Sequence, residues 1–463
     1  MFGWKRYLAA GAATAALVAF APAAQSETLA DALIAAYRHS HLLDQNRALL
    51  RAADEDVATA VAALRPVITF VANAYHQDRR FAHSKAETEI DTNSISLSAE
   101  LVLLDFGRRD ASIKAAKEAV LATRAGLVGV EQSVLLDTVQ AYVNVRLAQA
   151  IVDLRRNNTR VIGEELKASQ DRFDVGEVTR TDVAQAESAL GAARAQLASA
   201  EGDLLVQREA YKAMTGAYPG KLAAVPAAPR LPKSLDEAVA IAMRNHPNLI
   251  SAQHSVKAAE LNVELAKANM RPQIGVTAEV GSELTNSSSD YDYGSVGISA
   301  SQTIYAGGRL TALMRRAYAG QEAEKAALLN TTVSVEQSVA NAWSSLQVLG
   351  AQIAANTAQI EAAQTAFDGV REEAKLGART TLDVLDAEQD LLDARAARFE
   401  SEANRYYASY ALLAAMGQLT VEKLNLGIPT YDVATYYNVV KEAPAMSFQG
   451  EALDRVLKSL NKE

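Results

Sequence analysis

Two short stretches of the chain place hydroxyl, carboxylate and guanidinium groups at matching spacing. Val175 to Val183 reads VGEVTRTDV, and Leu376 to Asp386 reads LGARTTLDVLD. The first carries Thr181 and Asp182; the second carries Arg379, Asp383 and Asp386. Asp383 and Asp386 stand i, i+3, which puts both carboxylates on one face of a helix. One use is structural. Thr179-x-x-Asp182 and Thr380-x-x-Asp383 both fit a variant of the capping box, with a first-turn carboxylate favoured by the helix dipole. Capping accounts for Asp182 and Asp383. It leaves Asp386 over, because the matching position in the first stretch is Gln185.

No other stretch offers catalytic chemistry. The chain has no serine nucleophile elbow, HExxH, P-loop or dinucleotide glycine fingerprint. Its six histidines are scattered, and His39-x-His41 reads as surface rather than metal site. An enzyme is the most distant reading, and no cofactor is expected.

The elements that must position those turns are set by the whole chain. Its 463 residues suffice for one large domain or two to three ordinary ones. Residues 1–26 read as a secretory signal: Lys5 and Arg6, a short apolar run from Leu8 to Ala21, and plausible cuts after Ala23 or Ser26. Losing Lys5 and Arg6 takes the formal charge from -9 to -11. That acidic balance argues against nucleic acid as a partner. With no cysteine, an exported chain is stabilised by packing or assembly rather than disulfides. No later segment holds 18 consecutive apolar residues, so no transmembrane helix is expected.

The chain compares well with itself. LADALIAAYRHS at Leu29 matches LDEAVAIAMRNH at Leu235, and LRPVI at Leu64 matches MRPQI at Met270, both at an offset of 206. FGR at Phe106 answers GGR at Gly307, and MTG at Met214 answers AMG at Ala415, both at the 201-residue offset of the two turns. The order never changes. This implies two repeats, 27–217 and 234–426, a Pro-rich linker at 218–233 and a tail at 427–463.

Each half reads as a helical segment ending at Arg65-Pro66 or Arg271-Pro272. Two alternating segments follow. A very long helix then runs from Gly107 to about Phe173, or Gly308 to about Ala374, and the glycine turn stops it before a last helix. In the second long helix Val335, Val339, Ala342, Leu346, Leu349, Ile353, Ile360, Ala363, Phe367, Val370 and Ala374 follow a coiled-coil spacing broken only by Asn356. Val134, Ala141, Val145, Ala148, Val152, Ile162, Leu166 and Phe173 repeat it more weakly in the first. A helix of about 67 residues spans roughly 100 Å, a length that suits a rod, a spacer or a tube wall.

The alternating segments fall at about 67–77, 94–105, 273–284 and 293–305. In NSISLSAELVLLDF, Ile95, Leu97, Ala99, Leu101 and Leu103 alternate with Ser94, Ser96, Ser98 and Glu100. In PQIGVTAEVGSE, Ile274, Val276, Ala278 and Val280 alternate with Gln273, Thr277 and Glu279. DRRFAHSKAETEID and LTNSSSDYD read as polar loops. One reading is a small soluble sheet with one buried face. The other is a transmembrane barrel, whose strands need about 9–11 residues. Four strands cannot close, and open edges do not survive in lipid, so the barrel reading forces oligomerisation. Glu100 and Glu279 then line the barrel or sit at its rim.

The paired RP and GR joints, RNHPNL (Arg244–Leu249), RFDVGEVTRTDV (Arg172–Val183), LGARTTLDVLDAEQDLLDA (Leu376–Ala394) and the tail YDVATYYNVV (Tyr431–Val440) resemble the TolC family of outer-membrane efflux and secretion proteins. The resemblance runs from about Glu27 to Leu426, and the tail is similar to secretion-type members. It implies a mostly α fold with a membrane β-barrel. Three copies would contribute four strands each to one twelve-stranded barrel in the outer membrane. The helices would form a periplasmic tunnel that meets an adaptor (membrane fusion protein) and an inner-membrane transporter, ABC-type or proton-driven. It also implies that Asp383 and Asp386 face the axis at the tunnel tip as two acidic rings able to bind cations. Arg379, Thr181 and Asp182 are similar to residues that tie neighbouring tip helices together. The chain departs from the family in three places. RHSHLL (Arg38–Leu43) stands where the second half has RNHPNL, there is no lipidated cysteine, and Ala374 occupies a position that often holds tyrosine. A periplasmic coiled-coil adaptor or scaffold without a barrel is the alternative.

Overall fold

The computed structural model of the protein describes residues 26–80, 87–286, 289–443 and Arg455. Nearly all of the expected signal segment, and most of the tail beyond residue 443, lie outside the described residues. The order of elements is α1 (Leu29–His39), α2 (His41–Ala62), β1 (Val67–Arg80), β2 (Glu87–Leu104), α3 (Arg108–Asp174), α4 (Arg180–Thr215), α5 (Leu235–Asn245), α6 (Pro247–Ala268), β3 (Gln273–Thr285), β4 (Tyr291–Ser301), α7 (Arg309–Lys375), α8 (Thr381–Ala415) and α9 (Val433–Val440). The series before and after the linker agree in length: 11 and 11, 22 and 22, 67 and 67, then 36 and 35 residues for the helices.

The chain divides into two compact units. The first holds residues up to 38, 138–228 and 359–403; the second holds 39–137, 229–358 and 404 onward. In the first unit, the start of the chain is strapped to the linker. Glu27 donates its N–H to Lys221 O and accepts from Ala223 N–H. Its side chain accepts from Tyr211 Oη at 2.5 Å, and the fully buried Tyr142 donates to the carbonyls of Glu27 or Ala223. In the second unit α9 packs Val440 against Ala58 and Val61 of α2, so the tail forms a helix on α2. Arg65 at the first RP joint donates to the carbonyls of Glu442 and Ala443.

The strand-to-helix joints explain the repeated GR dipeptides. Phe106 and Gly107 take φ 51 and 97°, and Gly307 and Gly308 take 59 and 85°, in the left-handed region that costs a non-glycine residue roughly 1–2 kcal/mol. Phe106 bears that cost in the first joint. There Asp105 accepts from the N–H groups of Gly107 and Arg109 at 3.2 and 3.1 Å and caps α3.

The strands form one antiparallel meander, β1-β2-β3-β4. Two boundaries differ from the sequence reading. Much of DRRFAHSKAETEID is strand rather than loop: Asp78 pairs with Glu89, Arg79 with Thr88 and Arg80 with Glu87. The polar side chains there suit a sheet end in water, and Arg80 and Glu87 form an ion pair. The last strand stops at Ser301, and the Gln302 amide turns aside to donate to Met270 O.

The α7 seam is visible in burial. Val335, Val339, Phe367 and Ala374 are buried, every other seam residue is half-buried, and Asn356 is half-buried as well. In α3 the seam holds from Val134 to Ile162 but then drifts. Phe173 is 43 % exposed while Asn158, Glu165 and Ser169 are buried. Helix α3 also contains one stretch long and apolar enough to cross a membrane by length and composition, with mean hydropathy 1.3, where none was expected. Leu135, Val139 and Tyr142 are completely buried in addition to the seam residues, while 33 % of the apolar stretch is buried within the chain.

Candidate functional site

Both glycine turns are built by one device. Gly176 and Gly377 each take φ 78°, which glycine adopts without steric cost. Glu177 N–H donates to Arg172 O, and Ala378 N–H donates to Glu373 O, both at 2.9 Å. These six-to-one bonds are Schellman closures that satisfy the last carbonyls of α3 and α7. Each following helix then opens on a capping box. Thr179 donates from N and Oγ1 to Asp182 Oδ2 at 2.8 and 2.7 Å, and Asp182 N–H donates back at 3.4 Å. Thr380 does the same with Asp383 at 2.9 and 2.8 Å, and receives at 3.2 Å. Those bonds hold both carboxyls below the usual aspartate range, through the Thr179 hydroxyl first at Asp182 and the Thr380 N–H first at Asp383.

Asp386 is exposed one turn beyond Asp383 and takes no part in the box. Arg379 donates from Nε to Glu373 Oε2 at 2.9 Å. Within the chain it therefore sits on its own turn rather than on Thr181 or Asp182. Thr181 is exposed.

Behind the turns runs a polar stripe that the sequence reading missed. Asn158, Glu165 and Ser169 of α3 face α7 and α8. Asn158 Nδ2 donates to Glu388 Oε1 at 3.4 Å. Arg371 Nε lies 3.0 Å from Glu165 Oε1, close enough for an ion pair but not aligned as a hydrogen bond. Ser169 and Thr381 hydroxyls meet at 3.5 Å. Asn158, Glu165, Ser169, Thr381 and Glu388 are all under 9 % exposed. Apolar contacts flank the stripe: Leu385 packs with Ile162 and Ala193, and Val161 with the cluster of Phe367, Ala374, Val384 and Leu391. The available signal was spacing. Residues 158, 165 and 169 keep a heptad step beside Ile162, but polar residues at that step read as outward-facing.

The sheet is the second candidate surface. None of its strand residues is buried. On its apolar face Ile68 and Phe70 are each 67 % exposed, Val296 80 % and Ile298 76 %, while Ile274, Val276 and Ala278 are half-buried. Along β2 the serines at 94, 96 and 98 are half-buried while Ile95 and Leu97 are exposed. With neither face buried, the sheet lacks the covered apolar face of a soluble sheet and suits strands whose apolar side meets lipid. Ser98 pairs with Glu279, and Glu100 with Thr277, so both glutamates share the polar face. Tyr293 Oη donates to Glu279 Oε1 at 3.0 Å. His76, Asp78 and Glu89, at one end of this sheet, bring ligand atoms within 4.8 Å of one another. All three are exposed, and His76 Nδ1 is already 2.7 Å from Asp91.

A family model described as outer membrane efflux protein matches residues 33–217 and again 239–418. The chain belongs to this family. It is 36 % identical over 444 residues to the outer membrane efflux protein BepC of Brucella suis, covering 95 % of this chain and 96 % of that one. It is 26 % identical to the alkaline protease secretion protein AprF of Pseudomonas aeruginosa, over 67 % of this chain and 66 % of that one. With the outer membrane protein TolC of Vibrio cholerae it shares 26 % identity over 82 % and 88 %. Two solved structures have the same fold. The channel CusC superposes with a TM-score of 0.76 at 22 % identity, covering 85 % of this chain and 92 % of that one. VceC of Vibrio cholerae superposes at 0.73 and 22 %, covering 84 % and 96 %. The protein is thus an outer-membrane efflux and secretion channel of the TolC family that reaches into the periplasm. The family is one of transport channels, not of enzymes.

Proposed function

We propose that three copies of the chain form the passive exit duct of a tripartite efflux pump or type I secretion system. The observation that carries this reading is the sheet whose apolar face, with Ile68, Phe70, Ile95, Leu97, Val280, Val296 and Ile298, is exposed. Its strands of 11 to 18 residues are long enough to cross a bilayer. A single copy leaves β1 and β4 as open edges, which lipid does not tolerate. Two copies would give eight strands, whose interior is just filled by side chains. Three give twelve and leave a lumen, lined here by the serines of β2 with Glu100 and Glu279. Outer-membrane lipid is then the partner of the apolar face.

The two matched series of elements, and the two matches of one family model, support an internal duplication with repeats 27–217 and 234–426. The α3–α4 and α7–α8 turns would lie at the periplasmic tip. Asp383 and Asp386 line the axis there, and Arg379 exchanges Glu373 for Thr181 and Asp182 of a neighbouring copy when the tip is shut. A periplasmic adaptor and an inner-membrane transporter supply the energy and choose the cargo. The test is purification in detergent followed by planar-bilayer recording. A trimer with a discrete conductance is expected. A monomer without conductance overturns the duct reading.

A further inference from the structure

The buried carboxyl of Glu388 has no role in the capping of the turns. It lies two turns into α8, 6 % exposed, in the stripe where α8 meets α3. An ionised carboxylate in such a place needs a paired charge or several donors. Among the described residues it has one long donor and no ion pair at salt-bridge distance. From α3 come the neutral amide of Asn158, at a long 3.4 Å, and the like charge of Glu165. From α7 comes Arg371, which is placed on Glu165. On its own helix Arg395 donates to Gln364 at 2.7 Å instead. Burial raises the Glu388 carboxyl above the usual glutamate range, with Asn158, Arg395 and Arg371 opposing and Glu165 adding to the shift.

We propose that Glu388 is a proton-binding site that biases the contact between the α3–α4 and α7–α8 hairpins, so that acidification of the periplasm tightens the closed tip. The idea rests on the gated-duct reading. When Glu388 is ionised the contact holds two carboxylates, with Arg371 placed on Glu165 and Arg395 on Gln364, and separating the hairpins lets water reach Glu388. A proton on Glu388 removes that incentive and gives the side chain a donor. The sign is fixed by linkage. A carboxyl with a raised value in the closed state favours that state fully below its hydrated value. The preference is lost as pH rises through the closed-state value. Each unit between the two values shifts the open–closed equilibrium tenfold.

Two measurements separate failure of this proposal from failure of the duct reading. In bilayers, the wild-type trimer is expected to lose open probability several-fold between pH 7.5 and 5, whereas Glu388→Gln is expected to be low and flat across that range. Unchanged pH dependence in Glu388→Gln overturns the proposal. The second readout needs no conductance. The chain has no cysteine, so spin labels at Lys167→Cys on α3 and Asp390→Cys on α8, both exposed, report the hairpin separation by pulsed EPR. The distance distribution is expected to narrow on acidification in the wild type and to be narrow at both pH values with Glu388→Gln. Asn158→Asp, which sets a second carboxylate against Glu388, is expected to broaden it at pH 7.5. A distribution that ignores both pH and these substitutions overturns the proposal even if the trimer conducts.

Discussion

The two glycine turns share a backbone and differ in chemistry. Gly176 and Gly377 have the same φ, the same Schellman closure follows each, and the same Thr–Asp box opens the next helix. Around that shared frame the side chains diverge at fixed register. Val178 stands where the other turn has Arg379, and Gln185 where it has Asp386. The sharpest contrast is Glu187, exposed on α4, against Glu388, buried on α8. The same residue type at the same place after the same turn meets water in one copy and α3 in the other. Turn geometry is therefore a local property of the sequence. What the turn presents is decided by which neighbour its helix packs on.

That division predicts equal effects for the shared frame. Gly176→Ala and Gly377→Ala each force a side chain into the left-handed region and should each cost about 1–2 kcal/mol. Amide hydrogen exchange of the residues around each turn reads this as faster local opening. A much larger effect at one glycine than at the other would break the equivalence. Thr179→Ala and Thr380→Ala remove the cap and should each cost about 1 kcal/mol by the same readout.

How much of this was legible in sequence follows the same line. The turns, the joints and the α7 seam depend on residues within a few positions, and GR, RP and TxxD announce them. The strands were visible from alternation, but not which face looks outward. Ile95 and Leu97 alternate with serine whether the apolar side is buried or exposed, and only the structure shows them exposed. The end of β1 was hidden because Asp78, Arg79 and Arg80 look like loop until Glu89, Thr88 and Glu87 are seen opposite them. The stripe through Asn158, Glu165 and Glu388 was illegible for a different reason. Burying polar side chains is paired work between helices more than 200 residues apart in the chain, and no single segment records it.

The box carboxylates and Glu388 should respond to pH in opposite directions. Asp182 and Asp383 have depressed values in the folded turns. Their contribution is present above the ordinary aspartate value, about 3.9, and is lost as pH falls through the folded value. Hydrogen exchange at the turn N–H groups, corrected for intrinsic rates, should thus loosen only below about pH 4. Loosening of both turns between pH 7 and 5 would contradict the box assignment.

The smallest effect on stability belongs to the residue that distinguishes the turns most in the duct reading. Asp386→Asn touches no bond of the box and removes one exposed charge, so unfolding should change by no more than about 0.5 kcal/mol. Its consequence is electrostatic. In a trimer the substitution deletes three carboxylates from the channel axis, while Asp383 remains held by Thr380. Cation-over-anion permeability in planar bilayers should fall toward unity, and block by multivalent cations should weaken. Gln185→Asp, which gives the first turn the same acidic pair, should leave both unchanged if the second turn alone lines the axis. If Gln185→Asp shifts selectivity as much as Asp386→Asn does, position 386 owes nothing to the turn it sits on. The acidic pair would then be a property of overall charge rather than of the second hairpin.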